Sequence, residues 1–278
     1  MPDVRDWSRD DAARFVRVPG AADDKYSRGV VGLRTGSPAY PGAAVLGVEA
    51  AWRAGAGFVR YIGAGRAADA VIARRPETVV ARHAEGARVG AWVIGSGIDP
   101  GARTEGEERE LRVILDGGVP VVVDAGALDL APGSAAPLLL TPHAREFDRL
   151  RERLGLPDDA DREAAAGGMA AALESTVLLK GAETLVAAAD GTVIRVVAGT
   201  GWLATAGTGD VLGGVLGALL AANPDSPVVE VAAAGAWLHG HAARIASGTA
   251  DEGAGPGRPI VALDVAEALP RALADLLA

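Results

Sequence analysis

A chain of 278 residues without a single cysteine has no disulfide framework and no thiolate metal site, so its 49% of hydrophobic residues must hold the fold by packing. With 4% aromatic and 23% charged residues, that core is built from Ala, Val and Leu, and the chain is globular rather than disordered. A net charge of -9 argues against a nucleic-acid surface, and no basic-then-apolar leader opens the chain, so a cytoplasmic protein with no nucleic-acid and no membrane partner is expected.

Residues 1–24 are polar and weakly periodic and read as an arm ahead of the fold, with residues 25–278 as one domain. Strands are expected at 30–33, 58–62, 78–81, 91–95, 119–124, 138–141 and 177–180, and helices at 42–54, 67–74, 105–115, 144–154 and 162–174. Several of these strands are apolar throughout, as when helices cover both faces of a parallel sheet. The pattern changes near residue 183, where two β runs, 184–189 and 192–197, flank Asp190-Gly191 and predict a hairpin. Helices at 210–222, 227–247 and 264–277 follow, with the Gly/Pro-rich stretch 248–259 as a surface loop. The stretch 228–246 is the most apolar, but Glu230, His239, His241 and Arg244 interrupt it well short of the roughly 18–20 apolar residues of a membrane span. The fold class is α/β.

Gly207-Thr208-Gly209-Asp210 carries the strongest chemical signal. It is a glycine turn running into a long apolar helix, whose first amides lack acceptors and suit a nucleotide phosphate. Asp210 repels what such a pocket attracts, so it reads either as a proton acceptor or metal contact or as a carboxylate on the helix dipole. Loops after strands bind ligands in open α/β sheets. Four occur here: Thr35–Ala43, Gly95-Ser96-Gly97, Thr141-Pro142-His143-Ala144-Arg145-Glu146 and Lys180-Gly181-Ala182-Glu183-Thr184. His143 also reads as a helix cap, Glu146 as a first-turn carboxylate, and Lys180 as a lysine reaching solvent. His239 and His241 stand two apart on a helix, point to different faces and read as packing or surface, not a metal pair.

Taken in order, G-S-x-x-Y-x-G-A, G-S-G, V-D-A-x-A-L, T-P-H-x-x-E, L-K-G-x-x-T and G-T-G-D-V-L resemble the ADP/ATP-dependent NAD(P)H-hydrate dehydratases across about residues 25 to 275. The resemblance implies a ribokinase-like three-layer α/β/α sandwich with a mostly parallel sheet and a helical C-terminal region. It implies that hydrated NADH or NADPH is phosphorylated on its hydroxyl by ADP or ATP, after which phosphate is eliminated. Carried over, Ala43, Gly97, His143 and Asp210 line the hydrated-nucleotide site, with Asp210 as the catalytic base. Lys180, Gly181, Ala182, Glu183 and Thr184, with Gly207, Thr208 and Gly209, hold the donor nucleotide. Glu146 contacts Mg²⁺ through water or phosphate, and His143 takes the asparagine position of the related kinases' N-x-x-E motif. Ala144-Arg145 replaces the usual Pro-Gly after T-P-H and adds a cation. An NAD(P)H-hydrate epimerase is the implied functional partner and a homo-oligomer, such as a tetramer, the implied assembly. A vitamin-precursor kinase of the same fold is the alternative, and the choice between ADP and ATP stays open.

Overall fold

The computed structural model describes residues 4–158, 161–251 and 253–278. Ten strands form one sheet among these residues: β1 (Val4–Asp6), β2 (Val30–Arg34), β3 (Phe58–Ile62), β4 (Val79–Ala81), β5 (Ala91–Ile94), β6 (Val121–Val123), β7 (Leu138–Leu140), β8 (Thr176–Leu179), β9 (Thr184–Ala187) and β10 (Val193–Val196). Their order is β1-β10-β9-β8-β7-β6-β5-β2-β3-β4, and only β9 runs antiparallel to its neighbours. The helices are α1 (Arg9–Ala13), α2 (Pro41–Arg53), α3 (Gly65–Arg74), α4 (Glu105–Leu115), α5 (Ala144–Arg153), α6 (Arg162–Ala172), α7 (Thr208–Ala222), α8 (Val228–Ser247) and α9 (Ala262–Leu277).

The uninterrupted apolar strands follow from a sheet buried on both sides. Successive side chains alternate faces, so Val93, Val122, Leu139 and Leu178 pack with α2, α7, α8 and α9. Their neighbours Ile94, Val123, Leu140 and Leu179 pack with α4, α5 and α6. That is the three-layer sandwich, and β9–β10 is the hairpin expected around Asp190-Gly191. Element ends move by a few residues from the sequence reading.

One expectation fails. The stretch set aside as an arm contributes β1, paired in parallel with β10 at the sheet edge, and α1. Trp7, Ala12 and Phe15 from it are buried in the main core, with Trp7 stacked on Phe15. The three-residue strand and five-residue helix are too short to show a period, which is why the polar composition dominated the reading.

Glu49 on α2 is fully buried and gathers Arg53, Arg74 and Arg75, tying α2 to α3. Burial pushes its pKa up, but hydrogen bonds from Arg75, Arg53 and Arg74 outweigh that and bring it down to about 2. The carboxylate therefore contributes stability above its unfolded pKa, and that contribution is lost as pH falls toward 2. Glu49→Ala should cost about 2–3 kcal/mol at neutral pH, less than a fully enclosed pair because the arginines reach water. In urea titrations the difference should shrink at acid pH.

Candidate active site

The chain leaves β2 for β3 and β4 on one side, then returns to β5 on the other. This reversal opens a crevice at the carboxyl ends of β2 and β5, where open α/β sheets bind ligands. The two loops there are joined where Gly36 N donates to Ser96 O at 2.7 Å, and Tyr61 on β3 braces the first by donating its hydroxyl to Thr35 O at 2.7 Å. Gly97 sits at φ 70°, and a Cβ there would stand 2.7 Å from the Ala43 Cβ. The fold thus brings Ala43 and Gly97 together, and only glycine permits that approach.

Across the crevice lies the start of α7. Gly207, at φ 91°, caps this helix with no side-chain bond, a backbone conformation that other residues avoid. The Thr208 hydroxyl fixes the turn by donating to the carbonyls of Leu203 and Thr205, both at 3.1 Å. Among the described residues the amides of Thr208, Gly209 and Asp210 find no protein acceptor, so three donors stand at the positive end of a 15-residue helix.

Asp210 is not isolated. Ser96, just past β5, donates its hydroxyl proton to Asp210 Oδ1, and its oxygen lies 3.4 Å from Asp124 Oδ2. Asp124, just past β6 and buried, accepts from Thr141 Oγ1 at 2.9 Å and from Lys180 Nζ at 2.8 Å. Lys180, just past β8, is anchored by its amide to Pro142 O at 3.0 Å and bridges to His143. A Cβ on Gly209 would stand 3.5 Å from Lys180 Nζ, so the lysine passes directly beneath the α7 turn. Residues from three neighbouring strand ends, Ser96, Thr141 and Lys180, therefore gather around Asp124, and Ser96 carries that cluster to Asp210. Burial pushes the pKa of Asp210 up, the Ser96 bond pulls it down, and the charge of Asp124 pushes it up again, for a net rise. Sequence alone left that direction open between the helix dipole and bound phosphates; burial decides it for the free protein.

His143 does cap α5, and the cap fixes its tautomer. Its Nδ1 accepts from the amides of Arg145 and Glu146 at 3.1 and 3.3 Å, and Glu146 Oε2 accepts from His143 N at 2.9 Å. An Nδ1 that accepts twice leaves the proton of the neutral ring on Nε2, and that side chain is half exposed. The cap thus uses Nδ1 alone, and Nε2 lies 3.6 Å from Glu146 Oε1. Glu146 keeps Oε1 outside the cap. Among the described residues no group of three His, Asp or Glu could hold a metal, so Mg²⁺ fits only as an ion carried mainly by phosphates and water.

The loop after β8 is shaped by Thr184 Oγ1 donating to Gly181 O at 3.3 Å and Arg162 Nη1 donating to Glu183 O at 3.4 Å. Glu183 lines a small cavity of about 450 Å³ beside Asp6, Trp7 and Arg195 at the β1–β10 edge. A larger cavity of about 560 Å³ adjoins Gly97 and Glu146.

Ser96, Asp124 and Thr141 carried no assigned role in the sequence reading. Their signal was present: each is a polar residue closing an apolar strand, the same pattern that drew attention to Lys180. His239 is buried on α8, where burial pushes its pKa down to about 4 against the opposing backbone of Thr208. His241 faces Asp275 at 3.3 Å, so the two histidines go separate ways as expected.

The family model described as NAD(P)H-hydrate dehydratase matches residues 31–256. A bifunctional NAD(P)H-hydrate repair enzyme of Mycobacterium tuberculosis strain H37Rv is 45% identical over 229 residues, covering 80% of this chain and 47% of that protein. The chain thus spans about half the length of the curated relatives of this bifunctional kind. An ADP-dependent (S)-NAD(P)H-hydrate dehydratase of Neisseria meningitidis serogroup B is 38% identical, covering 88% of this chain and 87% of that one. The crystal structure of a Bacillus subtilis ADP/ATP-dependent NAD(P)H-hydrate dehydratase, co-crystallized with ATP and Mg²⁺, superposes with a TM-score of 0.83 at 26% identity, covering 99% of each chain.

Proposed function

The chain belongs to the NAD(P)H-hydrate dehydratase family, and from that premise we propose that it restores NADH and NADPH from their S hydrates at the expense of ADP or ATP. The observation that carries this reading is Asp210, a carboxylate held by Ser96 at the head of three unsatisfied helix amides. The acceptor hydroxyl lies in the crevice bounded by Ala43, Gly97 and His143, and the donor phosphates lie on the amides of Thr208, Gly209 and Asp210. Asp210 takes the hydroxyl proton as the oxygen attacks the terminal phosphorus of the donor, and the bond to the departing nucleotide breaks. The phosphate then leaves with the electrons of its ring C–O bond. A neighbouring ring carbon gives up a proton, and the dihydronicotinamide double bond is restored. Lys180 and the α7 amides hold the charge on the transferred group. Mg²⁺, when bound with the donor and near Glu146 Oε1, spreads that charge further.

The adenosine of the donor is placed on the Lys180–Thr184 loop, including Gly181, Ala182 and Glu183. An epimerase that interconverts the hydrates supplies the S form, in keeping with the bifunctional relatives. Among the described residues no helix is long and apolar enough to cross a membrane, and we place the enzyme in the cytoplasm as a homo-oligomer. The family match favours this reading over a vitamin kinase. The test is to mix the full chain with hydrated NADH or NADPH, Mg²⁺ and either ADP or ATP. Loss of hydrate absorbance with regain of dihydronicotinamide absorbance is expected, and failure with both donors overturns the reading.

The two nitrogens of His143 give a separable prediction. Asn is a good N-cap, so His143→Asn keeps α5 intact but removes the Nε2 donor. Affinity for the hydrated nucleotide should fall about 10- to 150-fold, the worth of a hydrogen bond to a charged group. Affinity for ADP and the melting temperature should hold. Equal loss for both nucleotides would reduce His143 to a cap.

A further inference from the structure

The larger cavity has walls that the reaction at Asp210 does not use. Its floor is apolar, made by Ile98, Leu128 and Leu150, all buried. Tyr40, 59% exposed at the rim, presents an aromatic ring. The cavity starts beside Gly97, one residue from the serine that holds Asp210, and follows α5 from Glu146 to Arg153. Seven residues of helix carry it about 10 Å. Its wall is preformed at a cost, because Ala125 in the loop after β6 sits at φ 45°, a conformation uncommon outside glycine.

Arg149 and Arg153 line this cavity one helical turn apart, and Arg145 stands one turn earlier on the same stripe. Among the described residues none of the three guanidiniums has a carboxylate partner or a side-chain hydrogen bond. Like charges four apart destabilise a helix, and in a chain of net charge -9 acids to neutralise them are plentiful. The acids around the cavity are committed elsewhere. Asp129 accepts both Nη atoms of Arg103, Glu146 caps α5 through Oε2 with its Oε1 3.6 Å from His143 Nε2, and Asp99 accepts from the Gly101 amide. What remains on offer is a pair of fork donors above an apolar floor with an aromatic ring at the mouth. Those are the requirements of a phosphate joined to a base-sized ring, and about 560 Å³ is ample for one.

We propose that this cavity takes the adenylate half of the hydrated dinucleotide, with Arg149 and Arg153 on its phosphate oxygens and Tyr40 against the base. This inference rests on the dehydratase reading, which places the hydrated ring at Asp210. A dinucleotide is long, and from that point its second nucleotide must lie along a wall of the crevice. The donor's adenosine belongs on the Lys180–Thr184 loop, none of which lines this cavity, so the pair of arginines discriminates acceptor from donor.

The test is the full chain carrying Arg149→Gln and Arg153→Gln, with Tyr40→Ala as an independent variant. Both sites are on the surface, and loss of like-charge repulsion leaves α5 no weaker, which a melting curve checks. Dissociation constants are measured for hydrated NADH, hydrated NADPH and ADP, alongside KM and kcat. The double variant should weaken hydrate binding about 10- to 100-fold, with the loss in KM rather than kcat and ADP binding unmoved. Raised salt should erase most of the difference. Equal loss for both hydrates assigns the arginines to the linking diphosphate; greater loss for hydrated NADPH assigns them to its 2′-phosphate. Unchanged hydrate binding overturns the inference, as does a parallel loss of ADP binding. If the wild type binds hydrates but never yields dihydronicotinamide, the dehydratase reading fails, while the binding arm still decides the role of this cavity.

Discussion

Asp210→Asn is expected to lower turnover about 10²- to 10⁴-fold, the usual worth of a general base, while ADP affinity stays the same or tightens slightly. Asn is nearly isosteric and its Oδ1 can still accept the Ser96 hydroxyl, so the turn at Gly207 survives. It cannot take the proton of the acceptor hydroxyl. Removing a negative charge beside bound phosphates eases their repulsion, so rate and affinity move in opposite directions. Stability supplies a second readout with a definite sign. Burial raises the pKa of Asp210 in the folded chain, so its contribution to stability is complete below the unfolded pKa and lost as pH rises through the folded one. At neutral pH the ionised carboxylate is therefore a burden, and the Asn variant should melt higher than wild type. That gain should vanish on acidification. Retention of more than about a tenth of wild-type turnover would show that Asp210 is not the base. Loss of ADP binding as steep as the loss of rate would make it a scaffold for the turn.

The order of strands and helices was legible because each layer leaves its own period. Apolar runs such as 121–123 and 138–140 mark a doubly covered sheet, and Asp190-Gly191 marks the hairpin. The edge was not legible. β1 gains its place only from pairing with β10, some 190 residues away in sequence, and nothing within Val4–Asp6 announces that partner. The site divides in the same way. Gly207 and Gly97 could be singled out because glycine has a local reason to be where the backbone must turn or approach closely. The link between Ser96, Asp124 and Lys180 had no such trace, since each closes a different strand and only the strand order sets them side by side. The cap at His143 was legible, but which nitrogen makes it, Nδ1 rather than Nε2, needed the geometry of the capping box.

Asp124→Asn and Lys180→Met should move the acid limb of the kcat/KM profile in opposite directions. That limb reports the protonation of the base in the free enzyme. Asp124 raises the pKa of Asp210 and Lys180 lowers it. Removing the Asp124 charge takes away the neighbouring carboxylate and frees the Lys180 ammonium to face Asp210. Both changes favour the ionised base, so the limb moves to lower pH. Lys180→Met does the reverse. It leaves Asp124 buried without its 2.8 Å partner, held by the Thr141 hydroxyl and, at 3.4 Å, the Ser96 hydroxyl. The unpaired charge then presses on Asp210, and the limb moves to higher pH. The same variant should also lose stability, by roughly 3–5 kcal/mol if the pair behaves as a buried one, because one charge is stranded. Asp124→Asn strands only a lysine that is partly exposed and should lose less. Lys180→Arg keeps the charge and should return the limb most of the way, even where the altered shape lowers the rate. A purely structural role predicts something different: slower turnover at every pH, with the limb fixed in all three variants. A fixed limb would show either that the base is not Asp210 or that Asp124 and Lys180 serve only to hold the strand ends together.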